Sequence, residues 1–83
     1  MGRSAPTLRV AVRRELERIS RVARAERDPE VRRALEELVS SGALLLDAFQ
    51  VEPPADALEV VLLSALVALT RRISELERRL GVE

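Results

Sequence analysis

Residues 55–80, ADALEVVLLSALVALTRRISELERRL, determine the fold because they predict one long helix with two different halves. The second half carries an apolar stripe in which spacings of three and four residues alternate. The stripe consists of Leu66, Leu69, Ile73, Leu76 and Leu80. In the first half, only Ser64 is not apolar between Val60 and Leu69. A helix that is apolar on every side must be covered on every side, so we expect a second copy of this 83-residue chain, or a partner protein, to complete the cover.

A first helix is predicted over residues 7–26, after a short lead, residues 1–6, that we expect to be disordered. Thr7 is a suitable N-cap because its hydroxyl can accept a hydrogen bond from a free backbone N–H group. One face of this helix is apolar and the remainder is rich in arginine. The apolar face consists of Leu8, Val12, Leu16, Ile19 and Ala23.

A second helix is predicted over residues 29–51, after a very short turn. Asp28 can cap its first N–H groups, and Pro29 suits the first helical position. Its apolar positions keep a regular spacing: Val31, Leu35, Leu38, Gly42, Leu45 and Phe49. We interpret this spacing as one continuous helix in which Gly42 marks the close approach of another backbone. The alternative is that the helix ends at Ser40-Ser41-Gly42.

Pro53 and Pro54 separate the second helix from the third, which is predicted over residues 55–80. The short connection predicts an antiparallel hairpin. One register places Gly42 opposite Ala65 and lets the two backbones pack closely. The same register pairs opposite charges: Glu36 with Arg71, Arg32 with Glu75, and Asp28 with Arg79. The predicted fold is therefore an all-α, antiparallel three-helix bundle that forms a single domain over residues 7–83.

The closed end of this hairpin brings together more apolar side chains than the first helix can cover. We predict that they form the interface of a homo-oligomer: Leu44, Leu46, Phe49, Val60, Leu63 and Val67. The alternative is that the first helix buries them within a monomer. The stripe from Leu66 to Leu80 could form an intermolecular coiled coil flanked by Arg72 and Glu77. For that half we favour the intramolecular face of the hairpin.

The amino-acid composition argues against an enzyme. The chain has no His, Cys, Lys, Tyr or Trp, which removes the usual general base, the thiol nucleophile, Schiff-base chemistry and most metal ligands. Asp47 and Glu59 lie near each other in the predicted hairpin, with Glu52 and Asp56 nearby, and such a carboxylate cluster could hold a hard cation such as Mg²⁺ or Ca²⁺. We favour the alternative that Asp56 and Glu59 stabilise a helix start and that the others are solvated. We therefore expect no cofactor, no metal and no small-molecule substrate.

The arginine-rich first helix is the best candidate for a polyanion site. Arg14, Arg18 and Arg21 share one face and could follow a phosphate backbone. However, the chain has no Trp or Tyr and a single Phe for base stacking, and acidic residues interrupt the basic face. Its 14 basic and 14 acidic residues also balance. A small nucleic-acid-associated regulator is therefore the alternative function, and a solvated helix face is the favoured interpretation.

The charges also bear on location. Glu59 and Arg71 bracket the longest apolar run, which is too short to cross a bilayer, and the first 30 residues are rich in Arg and Glu. We therefore expect a soluble cytoplasmic protein without a signal peptide or a membrane partner.

In style, the whole chain resembles a de novo designed helical bundle. Its helices are built from Leu, Ala, Val, Glu and Arg, and its loops are short. Helix-start and helix-end signals stand at Asp28-Pro29-Glu30, Pro53-Pro54-Ala55-Asp56 and Leu80-Gly81. The absence of Lys departs from that style and equally suits a natural protein from a GC-rich genome. The resemblance implies a scaffold, and our leading hypothesis is a non-enzymatic structural protein that functions by self-assembly.

Overall fold

The computed structural model describes residues 7–81, and that part of the chain is helical without any strand. The four helices are α1 (Leu8–Ala25), α2 (Pro29–Ser41), α3 (Leu46–Val51) and α4 (Ala57–Arg79). The all-α class is confirmed, and the first and last predicted helices agree with α1 and α4 to within two residues at each end. The predicted second helix is instead divided into α2 and α3. The predicted disordered lead, residues 1–6, lies outside the described residues.

The three longer helices begin at side-chain caps that the sequence indicated. Thr7 caps α1 and Asp28 caps α2. At α4, the Asp56 carboxylate accepts a hydrogen bond from the Glu59 N–H group at 2.9 Å. The Glu59 carboxylate in turn accepts from the N–H group of Ala55 at 2.7 Å. This reciprocal capping stabilises the first turn of α4 directly after the two prolines.

The prediction of one continuous second helix is wrong, because the N–H groups of Gly42, Leu44 and Leu46 donate to carbonyls three residues back and that of Leu45 donates to α4. In a continuous helix the Leu45 N–H group would donate to the carbonyl of Ser41. It donates instead to the hydroxyl of Ser64, which is fully buried on α4, at 3.0 Å. The hydroxyls of Ser40 and Ser41 also donate to the carbonyl of Glu37, so they compete with the backbone ladder. α2 therefore ends at Ser41, and α3 begins on a new axis at Leu46.

Gly42 lies at a close approach, although its neighbours differ from the predicted one. A Cβ atom at this position would lie 2.5 Å from Cδ2 of Leu16 and 3.2 Å from Cγ1 of Val61. Ala65, the predicted neighbour, is not among the three nearest groups, which also include the carbonyl of Leu38. Glycine is therefore needed at the point where the end of α2 touches both α1 and α4.

The core lies between α1, α3 and the first half of α4. Its buried apolar residues are Val12, Ile19, Leu46, Val60 and Val61. The predicted apolar face of α1 is confirmed, because Leu8 and Leu16 pack against this cluster and Ala23 is buried as well. α2 contributes half-buried side chains from its edge and no fully buried residue. The four helices therefore share one small core at one end of α4.

The predicted charge register between the second and last helices is wrong. Within the described residues, none of the three predicted ion pairs forms. Arg32 donates instead to the carbonyl of Glu26 at 2.8 Å, which fastens the turn between α1 and α2. Glu75 pairs within its own helix. One cross-helix ion pair does form within the described residues, between Glu37 and Arg72 at 3.3 Å. It lies near the end of α2, and the start of α2 makes no ion pair with α4 there.

The protein is elongated for its size. Its radius of gyration is 15.4 Å and its longest dimension is 60 Å, whereas a compact domain of this length has a radius of about 11 to 12 Å. Every described residue from Leu69 onward is exposed. The second half of α4 therefore extends beyond the core that the other helices build.

Candidate assembly surface

The predicted oligomer interface divides into buried and accessible residues. Leu46 is only 7% exposed and Val60 is 0% exposed, so their assignment to an interface with a second copy is wrong. Both belong to the core cluster that α1 covers. Phe49 is half-buried against that core. Leu63 stays 40% exposed. Leu44 is also exposed, and Val67 is half-buried.

The apolar stripe on the second half of α4 is exposed along its whole length. Its five residues, which we call the α4 seam, are between 49% and 77% exposed. They are Leu66, Leu69, Ile73, Leu76 and Leu80. The favoured prediction, that this stripe packs inside the hairpin, is therefore wrong. Apolar side chains that follow one another along a surface, rather than standing singly, mark interaction sites.

A groove between α2 and α4 continues the seam towards the core. Its volume is about 670 Å³, and its walls are mostly apolar. Leu62, Leu66 and Leu69 line it from α4, and Leu38 and Ala34 line it from α2. Sequence reasoning missed this groove because it assumed that α2 lies along the whole of α4. The available signal was the alternative helix end at Ser40-Ser41-Gly42, where α2 does stop and where Ser40 and Ser41 line the groove.

Charged residues flank the seam on both sides. Arg72 lines the groove and pairs with Glu37 across its wall. Glu77 stands on the other flank of the seam and makes no ion pair within residues 7–81. Glu75 forms pairs with Arg78 and Arg79 one turn onward in the same helix. The surface is therefore an apolar stripe with a basic flank and an acidic flank.

The end of α4 is well formed although it stands apart from the core. Leu80 closes the helix, and Gly81 follows with a φ of 74°, the left-handed conformation that glycine adopts at helix ends. Isolated helical segments of this length are marginal in water without a packed apolar face. The second half of α4 thus has a helical sequence and an apolar face that no other helix in residues 7–81 covers.

Residues 1–82 match the family described as a domain of unknown function (DUF8156). The chain belongs to this family. No curated protein and no solved structure matches the chain. Since the DUF8156 description assigns no activity, the function has to be argued from the residues and the geometry. The resemblance to designed bundles stays a prediction, because family membership does not test it.

The arginines proposed for phosphate binding lie on the surface of this DUF8156 chain. Arg14, Arg18 and Arg21 are all exposed on α1. Arg18 donates to the Glu15 carboxylate at 2.9 Å, so one of the three is already paired with an acid. The nucleic-acid alternative stays a prediction, and the mixed charge of this face does not strengthen it.

The remaining candidate chemistry concerns the acidic residues and the membrane. In residues 7–81 no three Asp, Glu, His or Cys side chains are grouped so that they could hold a metal ion. Asp56 and Glu59 are engaged at the start of α4. Across the same described residues, no helix combines the length and the apolarity that a bilayer crossing requires.

Proposed function

We propose that this chain is a non-enzymatic assembly module that forms a homo-oligomer through the α4 seam. The observation that supports this proposal most strongly is the exposure of all five seam residues on a helix that continues past its own core. The proposed surface differs from the interface expected from sequence, because the closed end of the hairpin is largely buried by α1. Leu63 borders the seam and remains available to the interface.

The energetics support association of moderate strength. Covering a half-exposed Leu or Ile contributes on the order of 1 kcal/mol, since full burial contributes about 1.5 to 3 kcal/mol. The seams of two copies together therefore contribute on the order of 10 kcal/mol by the same scale. Association costs about 4 to 15 kcal/mol in lost freedom of motion. These opposing terms favour an oligomer that forms reversibly with concentration, with help from the groove beside α2.

Association would also stabilise the helix that carries the seam. A helical segment that packs on nothing depends on its propensity and on weak pairs such as Glu75 with Arg78 and Arg79. A second copy adds the packed apolar face that such a segment lacks. We therefore expect the order of the second half of α4 and the oligomeric state of the chain to rise together.

The test replaces two seam residues with acids and compares a charge-matched control. The double variant combines Ile73→Glu with Leu76→Glu. The control is Arg71→Glu, which lowers the net charge by the same amount, and Arg71 lies on the opposite side of the same helical segment. Molar mass by light scattering should fall to that of the monomer, 9.2 kDa, in the double variant and stay oligomeric in the control. The double variant should fold because both replaced residues are exposed.

Circular dichroism on the same samples separates loss of assembly from loss of folding. A double variant that melts cooperatively as a monomer supports the proposal. A double variant that keeps the oligomeric mass of the unmodified chain contradicts it, because acids cannot remain inside an apolar contact without a large loss of affinity.

A further inference from the structure

We propose that the second copy binds with its α4 helix parallel and in register, so that Arg72 of each copy pairs with Glu77 of the other. This inference rests on the self-association proposed above and adds the orientation of the two chains. The charged flanks decide that orientation, and the seam and the groove beside α2 are compatible with it.

The seam follows the heptad repeat of a two-stranded coiled coil. Leu66, Ile73 and Leu80 occupy its a positions, and Leu69 and Leu76 occupy its d positions. A repeat of 3.5 residues keeps the same stripe facing a partner helix along its whole length. Among parallel coiled coils, a β-branched residue at a, such as the central Ile73, with Leu at both d positions favours two strands.

The flanking charges distinguish the two possible orientations. Arg72 and Arg79 occupy g positions, and Glu77 occupies an e position. In a parallel pair a g residue faces the e residue five positions onward in the other helix, so Arg72 meets Glu77 on both sides of the dimer. In an antiparallel pair g positions face g positions, so Arg72 meets Arg72 or Arg79. The parallel arrangement therefore replaces two repulsions with two attractions.

The position of Arg72 in the single chain is compatible with this pairing. Its guanidinium is exposed and contacts Glu37 through one terminal nitrogen, Nη1, at 3.3 Å. A guanidinium carries five N–H donors in a planar fork, so it can bind a carboxylate from α2 and another from the second copy. Glu77, which makes no ion pair within the described residues, supplies that second carboxylate.

The groove beside α2 gives the second helix a further contact. Leu66 and Leu69 belong both to the seam and to the groove wall, and Leu38 and Ala34 form the opposite wall. A helix laid along the seam therefore packs against the exposed edge of α2 as well as against α4. Two copies then form a four-helix arrangement of α2 and α4 from each chain around one two-fold axis.

Cysteine cross-linking tests the orientation directly, because the natural chain contains no Cys. Leu76→Cys places the two introduced thiols side by side at a d position of a parallel, in-register pair, within disulfide range. Arg71→Cys, on the outer side of the helix, is the matched control. Under mild oxidation we expect most of the Leu76→Cys protein to become a covalent dimer that a reductant reverses, with little dimer from the control.

Each other outcome overturns the proposal in a recognisable way. In an antiparallel pair residue 76 faces an a position, so Leu76→Cys would link only when mixed with the Ile73→Cys or Leu66→Cys chain. That result would overturn the orientation and leave self-association intact. Dimeric mass without any cross-link would do the same. A monomeric mass by light scattering at all concentrations would remove the proposed function together with this inference.

Charge reversal on one flank provides a second readout. In the parallel dimer, Glu77→Arg sets an arginine opposite Arg72 at both pairing sites. Because two exposed attractions become repulsions, association should weaken about tenfold. Glu75→Arg, the same substitution on the outer side of the same helix, should weaken it much less. Adding Arg72→Glu to Glu77→Arg should recover part of the lost affinity. Equal weakening by the two single variants, or further weakening by the added substitution, contradicts the proposed pairing.

Discussion

The first half of α4 is apolar on nearly every side and the second half along one stripe, and the two halves have opposite environments. In the first half, Val60 and Val61 are completely buried, and even the polar Ser64 has no exposed surface. In the second half, every residue from Leu69 to the end of the helix is exposed. The difference arises from the other helices, since α1 and α2 pack against α4 and the buried core lies at the end of α4 that carries the first half. The apolar pattern of a helix indicates which of its side chains have to be buried. How far the other helices of the chain reach decides which of them are buried.

The same substitution in each half should give the largest contrast. Val61→Glu buries a carboxylate in the core without a partner, at a cost of several kcal/mol that is comparable with the whole stability of a small domain. We expect that chain to lose its cooperative thermal transition in circular dichroism. Leu76→Glu, at a half-exposed seam position, should keep the transition and lose the oligomer. Equal stability of the two variants would contradict the division of α4 into a core half and an assembly half.

A smaller contrast comes from the two serines of α4. Ser64→Ala leaves the N–H group of Leu45 without its partner and should lower the free energy of unfolding by about 1 to 3 kcal/mol. Ser74→Ala, in the exposed half, should change it by no more than about 0.5 kcal/mol. Urea denaturation at one fixed protein concentration measures both, because self-association makes stability depend on concentration. Equal effects would mean that the bond from Leu45 contributes nothing to the break between α2 and α3.

Gly42→Ala tests the contact between the end of α2 and α1, beside the first half of α4. Replacing glycine with alanine lowers the conformational entropy of the unfolded chain, which stabilises the folded protein by about 0.4 to 1 kcal/mol. Overpacking a core, by contrast, destabilises it by about 1 to 3 kcal/mol. The new methyl group would lie 2.5 Å from Leu16, so we expect a net loss of about 1 kcal/mol by urea denaturation. With Leu16→Ala already present, the same substitution should become neutral or favourable. An unchanged penalty in that background would show that Leu16 is not its cause.

Glu37→Gln should have the smallest effect on folding. The pair of Glu37 with Arg72 is exposed on both sides, and such pairs contribute a few tenths of a kcal/mol up to about 1 kcal/mol. We expect a difference at low salt that disappears at high salt, where exposed charges are screened. The salt dependence of the urea midpoint measures it. A loss that persists at high salt would mean that Glu37 holds α2 against α4 by more than its charge.

The local features of this fold could be predicted from sequence because local chemistry determines them. Thr7, Asp28 and Asp56 stand at helix starts, as their side chains require. The apolar face of α1 follows directly from its spacing, and Gly42 does lie at a close contact. Each of these features depends on residues within one or two helical turns, or on a single residue without a side chain.

The features that could not be predicted depend on contacts between distant segments. The break of the second helix rests on one bond from Leu45 to Ser64, nineteen residues along the chain. A lone polar residue in an apolar run was the available signal, because a buried hydroxyl needs a partner. After that break α3 places Leu46 in the core, and α2 leaves the seam exposed although the predicted register had set it against the second half of α4. Contacts between distant segments therefore decide which apolar surface remains for assembly.

The molar mass of the unmodified chain, measured by light scattering across a wide dilution series, tests the central claim most directly. If a second copy covers the α4 seam, the mass should approach twice 9.2 kDa as the concentration rises and fall towards the monomer on dilution. A mass of 9.2 kDa at every concentration would contradict the claim that copies of this chain cover the second half of α4.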